Sequence, residues 1–222
     1  MSEFRALLWR EIQLATRGGA GTLLGLAFFL ILIVALPLGI GPDLNQLSRL
    51  GPAFIWIGAL LSTLLGLDRM FQSDYEDGAL DLMSLTDFPL EVLVLAKCLG
   101  HWLTNVLPLV LAAPLFALFL NMPPIGIGAT LLTLLVGTPA ITLIGAIGAG
   151  LTVSLRRAGM LLAILSIPLM TPIIIFGVGA ANATLIGGAP FRFPFLMLCA
   201  ISLAALALSP FATAAALRAS RG

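Results

Sequence analysis

The sequence predicts an all-α integral membrane protein: six transmembrane helices, an N-terminal interfacial amphipathic helix and a cytoplasmic acidic helix between spans 2 and 3. Three observations predict it. Of 222 residues, 60% are hydrophobic and 9% charged, against about 25% charged in a soluble domain, so the surface cannot be mainly water-facing. The apolar residues form long continuous runs rich in Leu, Ala and Ile, matching helices that cross ~30 Å of hydrocarbon rather than the alternating short strands of a barrel. Finally, nine of the eleven Lys and Arg residues fall on one side once the spans are drawn, which orients the chain by the positive-inside rule.

Residues 2–17, SEFRALLWREIQLATR, open the chain. Phe4, Leu7, Leu8, Ile12 and Ala15 recur at helical spacing with Arg10 and Arg17 seven apart. This is the pattern of a helix lying on the cytoplasmic leaflet. No small-residue cleavage site closes the first apolar run, so a cleavable signal is not expected. The spans follow at about 22–41, 50–67, 98–120, 125–153, 159–181 and 194–217. Together they make one transmembrane domain, residues 1–222. Pro108 and Pro114 in span 3, Pro139 in span 4, and Pro168 and Pro172 in span 5 free carbonyls that neighbouring helices must satisfy, so the spans form a bundle. Pro139 and its glycines predict a kink or break in span 4. With the N-terminus inside, Arg5, Arg10, Arg17, Arg69, Lys97, Arg156, Arg157, Arg218 and Arg221 are cytoplasmic, as are both termini; Arg49 and Arg192 lie outside. The outer connections are the tight turn NMPP (121–124) and the segment 182–193.

The cytoplasmic loop 68–97 is the longest connection and holds seven of the ten acids. Ser73 with Glu76 fits a capping box, and Asp74, Glu76 and Asp77 suit the first turn of a helix, where the macrodipole favours anions. Gly78 and Asp81 follow, with Leu80, Leu82, Met83 and Leu85 as an apolar face. Either the segment is a solvated connection, or that face marks a docking site. Pro89 can start a further helix leading through Lys97, the sole lysine, into span 3.

Net charge is +1, so no nucleic-acid partner is expected. There is no G-x-x-x-x-G-K-[ST] phosphate loop, so the chain is not expected to hydrolyse ATP itself. Cys98 and Cys199 fall at opposite membrane depths, too far apart for a disulfide. The centres of the spans carry no charge, against an ion-coupled carrier, and no nucleophile–base pair suggests a protease. A greasy bundle with an acidic inner helix instead fits a permease that borrows its ATPase.

The stretch YEDGALDLMSLTDFPLEVLVLAK (75–97) resembles the corresponding loop of ABC-2-type permeases. The chain as a whole resembles the CcmB family through PLGIGP (37–42), GPAFIWIGALLSTLLGLDRMF (51–71), LAKCLGHW (95–102), LLVGTPAITLIGA (134–146) and LSPFATAAALR (208–218), in order and almost end to end. The resemblance implies a bacterial inner-membrane permease subunit with a separate CcmA-like ATPase. It also implies CcmC-like and CcmD-like membrane proteins, a second copy of the chain, and a CcmE-like haem chaperone at the outer face during cytochrome c maturation. ATP would be used by the partner and haem would be the substrate, with no cofactor or metal bound by this chain. Whether such a subunit exports haem, drives release of the loaded chaperone, or only scaffolds a haem-handling complex stays open. Ala79 departs from the Thr or Ser common in the wider pattern.

The same resemblance points to Ser73, Asp74, Glu76, Asp77, Gly78, Leu80, Asp81, Leu82, Met83 and Leu85 as the ATPase-coupling helix. Arg156 and Arg157 form an inner turn, read either as a topology anchor or as a second ATPase contact. Lys97, His101 and Asn105 recur at i, i+4 and i+8 as a polar stripe on span 3. His101 is read as a satisfied interfacial or bundle-facing histidine, with haem ligation as the rival. Trp9 and Trp102 fit the interfacial aromatic belt. Gly145, Gly148 and Gly150, with Ala212 and Ala216, allow close helix approach in the bundle or in a dimer.

Overall fold

The computed structural model describes residues 2–18, 20–41, 43–79, 89–155, 158–186 and 190–220. These form helices α1 (Ser2–Gly18), α2 (Ala20–Ile40), α3 (Leu44–Leu67), α4 (Gln72–Glu76), α5 (Leu90–His101), α6 (Leu107–Phe119), α7 (Pro124–Thr152), α8 (Ala158–Ile186) and α9 (Arg192–Ala219). A wide π-turn, Trp102–Val106, joins α5 to α6, so the third span runs Leu90–Phe119. Among the described residues no strand occurs, and six helical stretches are long and apolar enough to cross a membrane.

Helix ends follow local chemistry. Asp43 caps α3 by accepting hydrogen bonds from the backbone N–H groups of Asn45 and Gln46. Asn121, at φ +55°, closes α6. The N–H of Met122 donates to the Ala117 carbonyl and that of Asn121 to the Leu118 carbonyl, the paired bonds of a Schellman ending. Pro123 and Pro124 then start α7, so the NMPP turn is as tight as expected.

Helix α7 is the axis of the bundle. It packs most extensively on α8 and α9, and also on α3, α5 and α6. Of the kink or break expected at Pro139, the break does not occur: α7 runs unbroken from Pro124 to Thr152. Helices on several sides hold it, and the Thr138 and Thr142 hydroxyls donate to the Leu134 and Thr138 carbonyls around the proline. Trp56 is the largest fully buried side chain. Its ring fills the space left by Gly137 and Gly177, and its indole N–H donates to Thr133 Oγ1 at 3.3 Å. Phe29 of α2 meets Phe116 of α6 edge-on at 4.9 Å and lies over Gly58 of α3. Large apolar side chains on α2, α8 and α9, such as Leu38, Ile164 and Leu208, stay exposed; these faces suit hydrocarbon.

The third span begins at Leu90 rather than at 98. The helix expected to start at Pro89 and lead through Lys97 is found from Leu90, continuous with the span. Both cysteines are free, Cys98 buried and Cys199 half-buried.

Candidate functional site: a buried charge cluster beneath span 3

The cluster sits where α1, α4 and α5 meet. α1 packs along α5 and also reaches the π-turn. The approach is close because α5 presents Gly100: a Cβ there would stand 2.8 Å from the Cβ of Glu11. The face of α1 turned inward therefore carries Glu11 as well as Leu8, while Trp9 stays 63% exposed. An apolar stripe alone would have predicted only the leucines.

Glu11 points at Lys97. The Lys97 ammonium donates to Glu11 Oε2 at 3.1 Å and is also paired with Asp74 of α4. Arg10 lies 3.6 Å from Glu11 and 3.9 Å from Asp74. The Lys97 side chain is 3% exposed, Asp74 8% and Glu11 13%. Charges this deep persist only when paired, since the desolvation of each costs several kcal/mol. Two cations and two anions balance here, and three helices far apart in sequence are held at one point.

Helix α4 differs from the expected helix. It starts at Gln72 with no side-chain cap, so Ser73 lies inside it, and Glu76 accepts a hydrogen bond from Gln72 at 2.9 Å instead of closing a capping box. Gly78 ends the turn at φ +70° with open space around it, a left-handed position that favours glycine. The acidic block is thereby sorted. Asp74 faces inward to Lys97, while Ser73, Glu76 and Asp77 are exposed. Leu80, Asp81, Leu82, Met83 and Leu85 lie outside the described residues, as do Arg156 and Arg157.

The expected polar stripe on span 3 divides in two. Lys97 belongs to the charge cluster. His101 and Asn105 belong to the π-turn above it, where Asn105 Nδ2 lies 3.3 Å from His101 Nδ1. His101 packs against Gly66 of α3, whose Cβ would stand 3.0 Å from His101 Cε1, and its Nε2 is buried without a hydrogen-bond partner. Among the described residues no three His, Cys, Asp or Glu side chains are grouped to hold a metal ion. Trp102, expected at the interfacial belt, donates from its indole N–H to Thr138 Oγ1 of α7 at 3.0 Å. At the same end of the bundle Arg218 of α9 donates to Glu91 of α5 at 2.8 Å. Asp68, at the end of α3, lies beside Gly159 at the start of α8.

Sequence reasoning missed Glu11 and Arg10. The available signal was the placement of an acid on the leucine face of α1, together with a lone lysine that needed a buried partner.

The sequence matches the family described as CcmB protein over residues 2–220. It is 51% identical over 218 residues to the heme exporter protein B of Bradyrhizobium diazoefficiens, covering 98% of each chain. It is 50% identical over 214 residues to that of Paracoccus denitrificans, covering 96% of this chain and 98% of the relative. For the Escherichia coli K12 protein of the same name the identity is 44% over 220 residues, covering 96% of this chain and 98% of the relative. A match of this length, together with six apolar helices in a single bundle, means that the chain belongs to the CcmB family.

Proposed function

We propose that this chain is the permease subunit of an ABC-type haem exporter in cytochrome c maturation, set in the bacterial inner membrane with both termini in the cytoplasm. It takes its driving force from a separate CcmA-like ATPase that meets the exposed acids of the 73–78 segment. The observation that carries the reading is the pairing of Asp74 with Lys97 and, through Lys97, with Glu11. A displacement applied to the outward-facing Glu76 and Asp77 would pass through Asp74 into α5 and α1. The relatives' name, heme exporter protein B, supports haem as the cargo or as the group whose loaded chaperone is released. The CcmC-like and CcmD-like membrane proteins, the CcmE-like chaperone and a second copy of the chain complete the proposed assembly.

The test is Asp77→Lys, which reverses an exposed charge and leaves Asp74 in place. The expected result is loss of ATPase co-purification and of c-type cytochrome yield; no change in either would sink the docking assignment. An ATP-hydrolysis-dead partner separates the transducer from a scaffold. A transducer loses cytochrome yield even though the assembly forms, whereas a scaffold keeps it.

A further inference from the structure

Span 3 changes its winding at one place. The N–H of Leu107 donates to the Trp102 carbonyl, five residues back, where an α-helix would reach four. Such wide turns amount to one extra residue in a helix and frequently mark functional sites. Three features of this one bear on movement. Pro108 has no N–H to offer the Thr104 carbonyl. The side chains of Thr104 and Asn105 bond the carbonyls below them: Thr104 Oγ1 donates to Gly100 at 2.8 Å, and Asn105 Nδ2 to His101 at 3.4 Å. Those carbonyls therefore keep a donor when the backbone bonds of the turn lengthen or change register. Trp102, at the lower edge of the turn, is pinned to Thr138 of the central helix.

Below the turn, α5 is fastened to α1 and α4 by the charge cluster. Above it, α6 packs on α2, α3 and α7. α5 also packs on α9 and, less extensively, on α7; the Arg218–Glu91 pair adds little to the contact with α9, since Arg218 is 57% exposed and exposed pairs hold weakly.

We propose that span 3 is hinged at Trp102–Val106, with α5, α1 and α4 moving as one body against α6 about the Trp102–Thr138 contact. The hinge deepens the ATPase-coupling reading and rests on it for the force that works the hinge. The bend itself is a property of this chain alone.

The test is electron-spin distance measurement on the full chain in lipid nanodiscs, in a Cys98→Ala, Cys199→Ala background. Labels at Leu99→Cys and Leu115→Cys, both exposed, span the turn. Labels at Leu132→Cys and Leu151→Cys, also exposed, span the unbroken α7 as reference. The expected result is a broader distribution across the turn than along α7. It narrows to the reference width on deletion of Leu103, which removes the extra residue, or in Pro108→Ala, which restores the N–H. Equal widths in the parent chain, or a width that neither variant changes, would overturn the hinge. Cross-linking of Asp77→Cys to the ATPase in the assembled complex is scored separately. Its failure removes the coupling reading while the distance result still decides the hinge.

Discussion

Lys97 and Glu11 lie 86 residues apart in the sequence, yet the ammonium of one donates to the carboxylate of the other at 3.1 Å. That bond places the N-terminal helix against span 3, and Asp74 on the same ammonium brings the acidic segment to the same point.

Removing the buried cation, Lys97, leaves two buried anions with only the part-exposed Arg10 beside them. Lys97→Met is expected to destabilise the protein by about 3–5 kcal/mol, the cost of breaking a buried pair from one side. The triple variant Glu11→Gln, Asp74→Asn, Lys97→Met removes the buried charges and leaves only Arg10, whose side chain is 42% exposed, so it is expected to recover most of that loss. Thermal unfolding in detergent measures both; a triple variant no better than the single one contradicts the pairing.

Gly100 is where α1 comes closest to α5. Gly100→Ala brings a Cβ to 2.8 Å from Glu11 Cβ, and backbone has to move to relieve it. Overpacking of this kind typically costs ~1–3 kcal/mol. Limited proteolysis should show earlier cleavage after Arg10 than in the parent chain, with the rest of the bundle unchanged.

Trp56 occupies the centre of the bundle. Trp56→Phe loses the bond to Thr133 and is expected to cost about 1 kcal/mol for that bond, besides the lost ring volume. Trp56→Ala opens a cavity worth about 3–5 kcal/mol. Gly177→Ala drives a methyl into the indole ring and should also lower the unfolding temperature. An unfolding temperature unmoved by Trp56→Ala would place the ring at the surface.

The Arg218–Glu91 pair is the contrasting case. Arg218 is 57% exposed, so Arg218→Ala is expected to change stability by no more than ~1 kcal/mol. The small difference should fade at high salt, where surface charges are screened. A large loss that survives high salt would mean that the pair is buried in the assembly.

The bundle was legible in the sequence because each crossing needs about 20 apolar residues and the cations sort by side. The inward faces were not. Trp56 is buried and Leu38 exposed, but both lie in equally apolar helices, since hydrocarbon outside is as apolar as the core and leaves no periodic contrast to read. The helix leading into span 3 was legible from Pro89, but the span was drawn only from residue 98 because Glu91 and Lys97 are charged. Each charge has a partner, Arg218 and Glu11 respectively, and the helix continues through both. Of the acidic segment, composition gave its place in the chain, while the division between inward Asp74 and outward Glu76 and Asp77 depends on where α4 starts. The π-turn left no mark in composition, because its residues, Trp102–Val106, also suit an ordinary helix.

The balance of the charge cluster reaches beyond stability. Arg10, Lys97, Glu11 and Asp74 sum to zero. An elementary charge crossing the bilayer gains or loses about 2.3 kcal/mol per 100 mV, but a neutral block shifted along the membrane normal does no net electrical work. In the hinge motion proposed above, these four charges add no net electrical work of their own, whatever the resting voltage.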